Sequence, residues 1–147
     1  MTTIAYKDGV IAYDSRVTRG TIIDYDDYEK CIEVKGVKFI LTGSSADFPA
    51  LVDAYFGGPI APVSLEAEAL TIDAGQIYFV GHNKVEGAWK SLVLPDRAYA
   101  IGSGTCHALT AMDMGATAAE AVEMAKKRDS STGGQVRTLV VRVAAEG

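Results

Sequence analysis

Side chains that bind metals are scarce in this chain. It has two histidines, His82 and His107, and two cysteines, Cys31 and Cys106, with no Cys-x-x-Cys spacing. The neighbours Cys106-His107 would fall on different faces of a helix, so a side-chain metal site is not expected. The cysteines read as buried free thiols of a reducing compartment rather than as a disulfide framework. Long apolar runs are also missing, so no membrane span is expected. No early stretch has the charged-then-apolar layout of a signal peptide, and a cytoplasmic location is expected. Basic charge is in deficit: 14 Lys and Arg against 19 Asp and Glu leave a net charge of −5, which argues against nucleic acid as a partner. The one basic run, Lys126-Lys127-Arg128, reads as the last turn of a helix, where cations suit the dipole.

What is present is an ordinary globular composition, 48% hydrophobic and 22% charged over 147 residues. A chain of that size buries roughly two-thirds of its unfolded surface and needs no staples. Residues 3–7 and 10–14 are β-rich runs joined by Asp8-Gly9, a two-residue hairpin turn. A second hairpin is expected at 28–34 and 37–42, around Lys35-Gly36. Phe48, Leu51, Val52, Tyr55 and Phe56 share one helical face, with Ser44 and Asp47 resembling a capping box and Gly57-Gly58 as the stop.

After a loop at 59–64, strands are expected at 69–72, 77–80, 88–94 and 98–101. One helix should run from about Ser103 to Met114, and another from Thr117 to about Arg128, opened by a Thr117–Glu120 capping box. The apolar run 136–143 reads as a buried closing strand. Hairpin-linked strands with helices in separate groups predict an α+β fold of antiparallel sheets covered by helices, in a single domain over residues 1–147.

The chemistry begins at Thr2. Methionine is normally trimmed before a small side chain, so Met1 removal would leave a threonine with a hydroxyl nucleophile and a free amine on one residue. An α-amine titrates near ~7.7–8.0 and can act as a base at neutral pH. Asp14 ends the first hairpin, beside the strand that starts at Thr2. Lys30 falls within an apolar alternation, between Glu29 and Cys31. Gly43-Ser44-Ser45 opens a helix, where free backbone N–H groups can bind an oxyanion. Gly102-Ser103-Gly104 opens another, and Asp129 to Gly134 follows a third. Each also has a plain structural reading: Asp14 pairing with Arg16, Lys30 snorkelling at an edge, Ser103 as an N-cap, Asp129 as a turn residue.

Taken together, TTIAYKDGVIAYDSRVTRG, YEKCIEV, LTGSSAD, AIGSG and KRDSSTGG resemble, in order and across nearly the whole chain, the N-terminal nucleophile hydrolases. Within them the resemblance is to proteasome β subunits and the peptidase subunit of the bacterial ATP-dependent two-component protease. It implies a four-layer αββα sandwich of two antiparallel sheets and a threonine-type endopeptidase. Thr2 would be the nucleophile, Lys30 and Asp14 its charged support, and Gly43 N–H the oxyanion donor. Ser103, Asp129 and Thr132 would orient the amine, with Thr132 where the family has serine. A peptide or protein substrate would pair with backbone near Thr18 and Gly43. Val17, Tyr28, Leu41 and Ser45 would line the pocket before the scissile bond, favouring an apolar residue there, although the acidic stretch Asp24 to Asp27 could favour basic substrates instead.

No cofactor is required, but backbone carbonyls of Arg128, Ser131 and Gly134 match the spacing of a family site for a monovalent cation. One departure stands out. The chain has no room for the second long helix that in relatives serves subunit contacts and partner docking. A homo-oligomer is expected, while ring closure and an ATP-dependent unfoldase partner are left open. Two rival readings stay open as well: a catalytically silent assembly or binding subunit, and an amidase of the same fold acting on small amides.

Overall fold

The computed structural model describes residues 2–59 and 64–141. Its first sheet is built from β1 (Thr3–Lys7), β2 (Val10–Tyr13), β10 (Tyr99–Gly102) and β11 (Arg137–Val140), in the order β10-β1-β2-β11. Every neighbouring pair is antiparallel. The second sheet runs β5-β6-β7-β8-β9, from β5 (Cys31–Val34), β6 (Val37–Gly43), β7 (Ala67–Asp73), β8 (Gln76–Asn83) and β9 (Gly87–Val93), again antiparallel throughout. Asp8 and Gly9, with φ of 51° and 79°, take the left-handed pair of conformations that a tight hairpin needs, and Lys35 and Gly36 repeat it at 51° and 79°.

Three hydrophobic clusters position these elements. Ile4, Tyr6, Ile11 and Tyr13 of the first sheet meet Ile40, Leu70, Ile77 and Val93 of the second. The opposite face of the first sheet, with Ala5, Ala12 and Ala100, carries α2 (Thr105–Asp113) and α3 (Ala118–Arg128) through Ala108, Met112, Ala118, Ala121 and Val122. The opposite face of the second sheet, with Phe39, Leu41 and Ala69, carries α1 (Phe48–Tyr55) through Leu51 and Val52. Period-2 alternation explains the split: Ile4 and Tyr6 face one way, Ala5 the other.

Several expectations need correction. Between the two expected hairpins, where no element is expected, lies a two-stranded ribbon, β3 (Val17–Arg19) and β4 (Ile22–Tyr25). All of β4 is exposed, so no alternation betrays it in the sequence. The second hairpin begins at Cys31 rather than residue 28, although Leu41 N still donates to Lys30 O at 3.0 Å. Ser44 makes no side-chain cap; a short 3-10 turn (Ser45–Asp47) leads into α1, and Asp47 instead accepts from Glu66 N at 2.8 Å. Among the described strands the closing one lies at the edge of its sheet, with alternate residues exposed because only one of its faces, that of Leu139, packs on the core. Cys31 is only partly buried and Cys106 is exposed.

Other expectations hold. The Thr117–Glu120 capping box is formed, with Glu120 N donating to Thr117 Oγ1 at 3.1 Å and Thr117 N to Glu120 Oε1 at 3.0 Å. No second helix lies between α1 and β7 among the described residues; the centre of the expected loop, 60–63, and the end of the expected last strand, 142–143, fall outside them.

Ile40 is fully buried between the sheets. Ile40→Ala should therefore destabilise the fold by about 2–5 kcal/mol, the range for emptying such a site, read as a lower denaturation midpoint in urea at unchanged slope.

Candidate active site

Thr2 stands at the entrance to β1, an inner strand, so the backbone on both sides of it is held by neighbours. Its carbonyl lies against Gly102, where an added Cβ would come within 2.0 Å of Thr2 O. Gly102 has φ of +99°, so both crowding and conformation call for glycine. Gly43 at the end of β6 is similar: φ is +105° and a Cβ would meet Glu66 O at 2.2 Å. These two glycines let the ends of both sheets close around Thr2.

Lys30 Nζ donates to Thr2 Oγ1 and lies 2.8 Å from Asp14 Oδ1. The pair is deeply buried, with Lys30 at 4% exposure and Asp14 at 0%. Asp14 also accepts from three backbone N–H groups: Gly133 at 2.9 Å, Thr3 at 3.3 Å and Arg16 at 3.4 Å. Burial pulls the Lys30 pKa below its ordinary value, with the Asp14 carboxylate opposing. The alternative readings fail here: Lys30 does not snorkel, and Arg16 pairs with Asp26 rather than with Asp14.

On the other side of Thr2, its backbone nitrogen donates to Ser103 Oγ at 3.1 Å. In this chain that nitrogen is the amide of the Met1–Thr2 bond, and it occupies the place a free α-amine would take. Ser103 Oγ donates to Asp129 Oδ2 at 2.5 Å, and Thr132 Oγ1 donates to the same oxygen at 2.6 Å. Asp129 also accepts from Ser131 N at 3.1 Å. Burial pushes the Asp129 carboxyl up, but these three hydrogen bonds outweigh it and hold the group below its ordinary range. Ser103 is not the cap of α2; Gly104 occupies that position.

A cleft of about 510 Å³ opens on Thr2, Lys30 and Gly43, and all five residues expected at the substrate, Val17, Thr18, Tyr28, Leu41 and Ser45, line it. Sequence reasoning missed Arg16, Tyr25 and Phe48, which line it too. The overlooked ribbon brings Tyr25, and Arg16 is fixed by Asp26 at 2.8 and 3.1 Å and by Ser130 O at 3.1 Å. Asp24 pairs with Arg19. Two carboxylates of the acidic stretch thus have an arginine of the chain beside them.

Glu29 was also missed. It accepts from Tyr13 OH at 2.6 Å, Cys31 N at 2.9 Å and Arg137 Nη1 at 2.5 Å, which fastens the residue before Lys30 to the first sheet. Arg128, Ser131 and Gly134 lie at the end of α3 and in the turn after it. No cluster of three His, Cys, Asp or Glu suited to a metal occurs among the described residues.

Removing Asp14 strands a buried ammonium and three N–H groups, whereas removing Lys30 leaves Asp14 with its N–H donors. Asp14→Ala should therefore lose about 3–5 kcal/mol, and Lys30→Met clearly less, as measured by urea unfolding of the two variants.

No family model and no curated protein matches this sequence. Solved structures do match it. BPH of Thiobacillus denitrificans superposes with a TM-score of 0.71 at 22% identity, covering 99% of each chain. The same protein in complex with epoxomicin gives 0.70 at 22%, over 97% of this chain and 98% of that one. Eukaryotic HslV from Trypanosoma brucei gives 0.68 at 19%, over 96% and 98%. At such identities the likeness concerns the fold alone: this chain shares the fold of BPH and of HslV over nearly its whole length.

Proposed function

We propose that this chain is a threonine-type peptidase that uses Thr2 as its nucleophile once Met1 is removed. One observation carries the reading: the Thr2 hydroxyl contacts the ammonium of a buried Lys30–Asp14 pair while its nitrogen contacts Ser103. In this mechanism Thr2 Oγ attacks the scissile carbonyl carbon and its proton passes, through a water, to the α-amine. Lys30 favours the oxygen as it becomes alkoxide-like. The carbonyl oxygen becomes an oxyanion, to which Gly43 N–H donates; one such donor contributes about 2.7–4 kcal/mol to the transition state. The amine returns the proton to the departing nitrogen as the C–N bond breaks. Water then hydrolyses the Thr2 ester by the same route and restores the hydroxyl. Ser103, Asp129 and Thr132 keep the amine aligned throughout.

The three hydrophobic clusters support a four-layer αββα order within a single domain. A homo-oligomer agrees with the exposure of Ile22, Ile23 and Tyr25 on the ribbon. Ring closure and an ATP-dependent unfoldase partner are further proposals. So is a monovalent cation held by the carbonyls of Arg128, Ser131 and Gly134, and no step above depends on it. A cytoplasmic setting fits the absence of any helix, among the described residues, long and apolar enough to cross a membrane.

Intact-mass analysis after incubation with a threonine-directed β-lactone, or with the epoxomicin bound by BPH, tests the reading. Loss of Met1 and one adduct mapped to Thr2 is expected, with no adduct on Thr2→Ala. Retained Met1 without an adduct would favour a silent assembly subunit.

Val17, Tyr28 and Leu41 give the first cleft an apolar lining. Fluorogenic peptides with an apolar residue before the scissile bond should be cleaved faster than those with a basic one. The reverse order would sink this specificity, and turnover of small amides alone would favour the amidase.

A further inference from the structure

A second cleft, of about 560 Å³, shares Gly43 with the first and is lined by Gly102 and Ser103, both of which contact Thr2. We propose that it is the subsite for the leaving-group side of the substrate and that it takes a cationic side chain, arginine above all. The proposal rests on the peptidase reading for its place in the reaction and on the cleft's own chemistry for its ligand.

The place follows from proton transfer. A departing nitrogen must receive its proton from the α-amine, so the leaving group lies on the amine's side of the nucleophile. Ser103, which accepts from Thr2 N at 3.1 Å, lines this second cleft and not the first. Gly43 lines both, so an extended peptide crossing the oxyanion position passes from one cleft into the other.

The ligand class follows from charge. The cations of the first cleft, Arg16 and Lys30, are each paired with a carboxylate of the chain, whereas the second cleft contains Glu66, Glu68 and His82 and no lysine or arginine among its lining residues. Other carboxylates near the site are already engaged: Asp14 by Lys30, Asp26 by Arg16, Asp129 by Ser103 and Thr132. Glu68 is different. It sits half-buried on β7, its side chain makes no hydrogen bond or ion pair to any described residue, and burial alone raises its carboxyl above the ordinary range. A partly desolvated carboxylate without a cation gains from one supplied by a ligand.

Trp89 supplies the third element. Its indole packs on Gly81, where a Cβ would come within 2.2 Å of the ring, and against Phe79, 5.1 Å between centroids, and it lines the cleft. An aromatic face beside two carboxylates suits a guanidinium, which stacks and forks at once, better than a compact ammonium.

Trp89 is the only tryptophan in the chain, so its fluorescence reports occupancy of this cleft without requiring turnover. Argininamide should shift that fluorescence saturably and bind at least tenfold more tightly than leucinamide. Glu68→Gln, and separately Glu66→Gln, should weaken argininamide about tenfold while leaving leucinamide unaffected. Equal binding of the two amides, or an unchanged argininamide titration in both variants, overturns the subsite.

Internally quenched peptides with Arg, Leu or Glu after the scissile bond complete the test, with Arg favoured and that preference collapsing in Glu68→Gln. Cleavage without an arginine preference defeats the subsite and leaves the peptidase standing. Selective argininamide binding without cleavage of any peptide supports the cleft's cationic ligand and defeats the peptidase, and with it the cleft's place in a reaction.

Discussion

The rest of the site depends on one buried ion pair. Taking an ammonium and a carboxylate out of water costs several kcal/mol for each ion, and their attraction offsets this only when every remaining valence is used. Here the Asp14 carboxylate gathers N–H groups from β1, from the segment after β2 and from the loop after α3, in addition to Lys30. Three other segments, around Thr3, Lys30 and Gly133, are thereby tied to the one that carries Asp14. Thr2 is held where they converge, so its hydroxyl is presented in a fixed position.

Around that pair the polar contacts repeat the arrangement at lower burial. Arg16 fastens the ribbon to the loop after α3 through Asp26 and Ser130. Glu29 fastens the approach to Lys30 to β2 and β11 through Tyr13 and Arg137. These clamps consume most of the charge close to Thr2 and leave two clefts of opposite character. The cleft on the ribbon side has cations and apolar walls. The one on the Ser103 side has carboxylates and an indole.

The packing explains how so short a chain keeps this geometry. Between the sheets the side chains are large, Ile, Tyr, Leu and Val, and set the separation that the site spans. Between the first sheet and its two helices they are mostly alanine, which lets α2 and α3 approach closely and brings Ser103 and Asp129 within one hydrogen bond of each other. Small residues on one face and large ones on the other are a consequence of period-2 alternation along β1 and β2.

The two tight hairpins, the Thr117–Glu120 cap and the α+β class were legible because each depends on local spacing: residues with left-handed turn tolerance, a helix-start pair, an alternation of apolar side chains. The predicted neighbours of Thr2, namely Asp14, Lys30, Ser103, Asp129 and Thr132, became identifiable through the resemblance of five stretches; no single stretch required them to meet. The ribbon was invisible because β4 buries neither face. Ser44 was misread because a hydroxyl before a helix predicts a cap only if the next turn is regular, and here a 3-10 turn intervenes. Which carboxylates stay unpaired was beyond the sequence altogether. Asp24, Asp26, Glu66 and Glu68 look alike in a string, and only the folded chain brings an arginine to the first two and leaves Glu68 beside an indole. Local conformation is set by a few neighbouring residues, whereas ion pairing and cleft charge depend on segments that meet only after the sheets have packed.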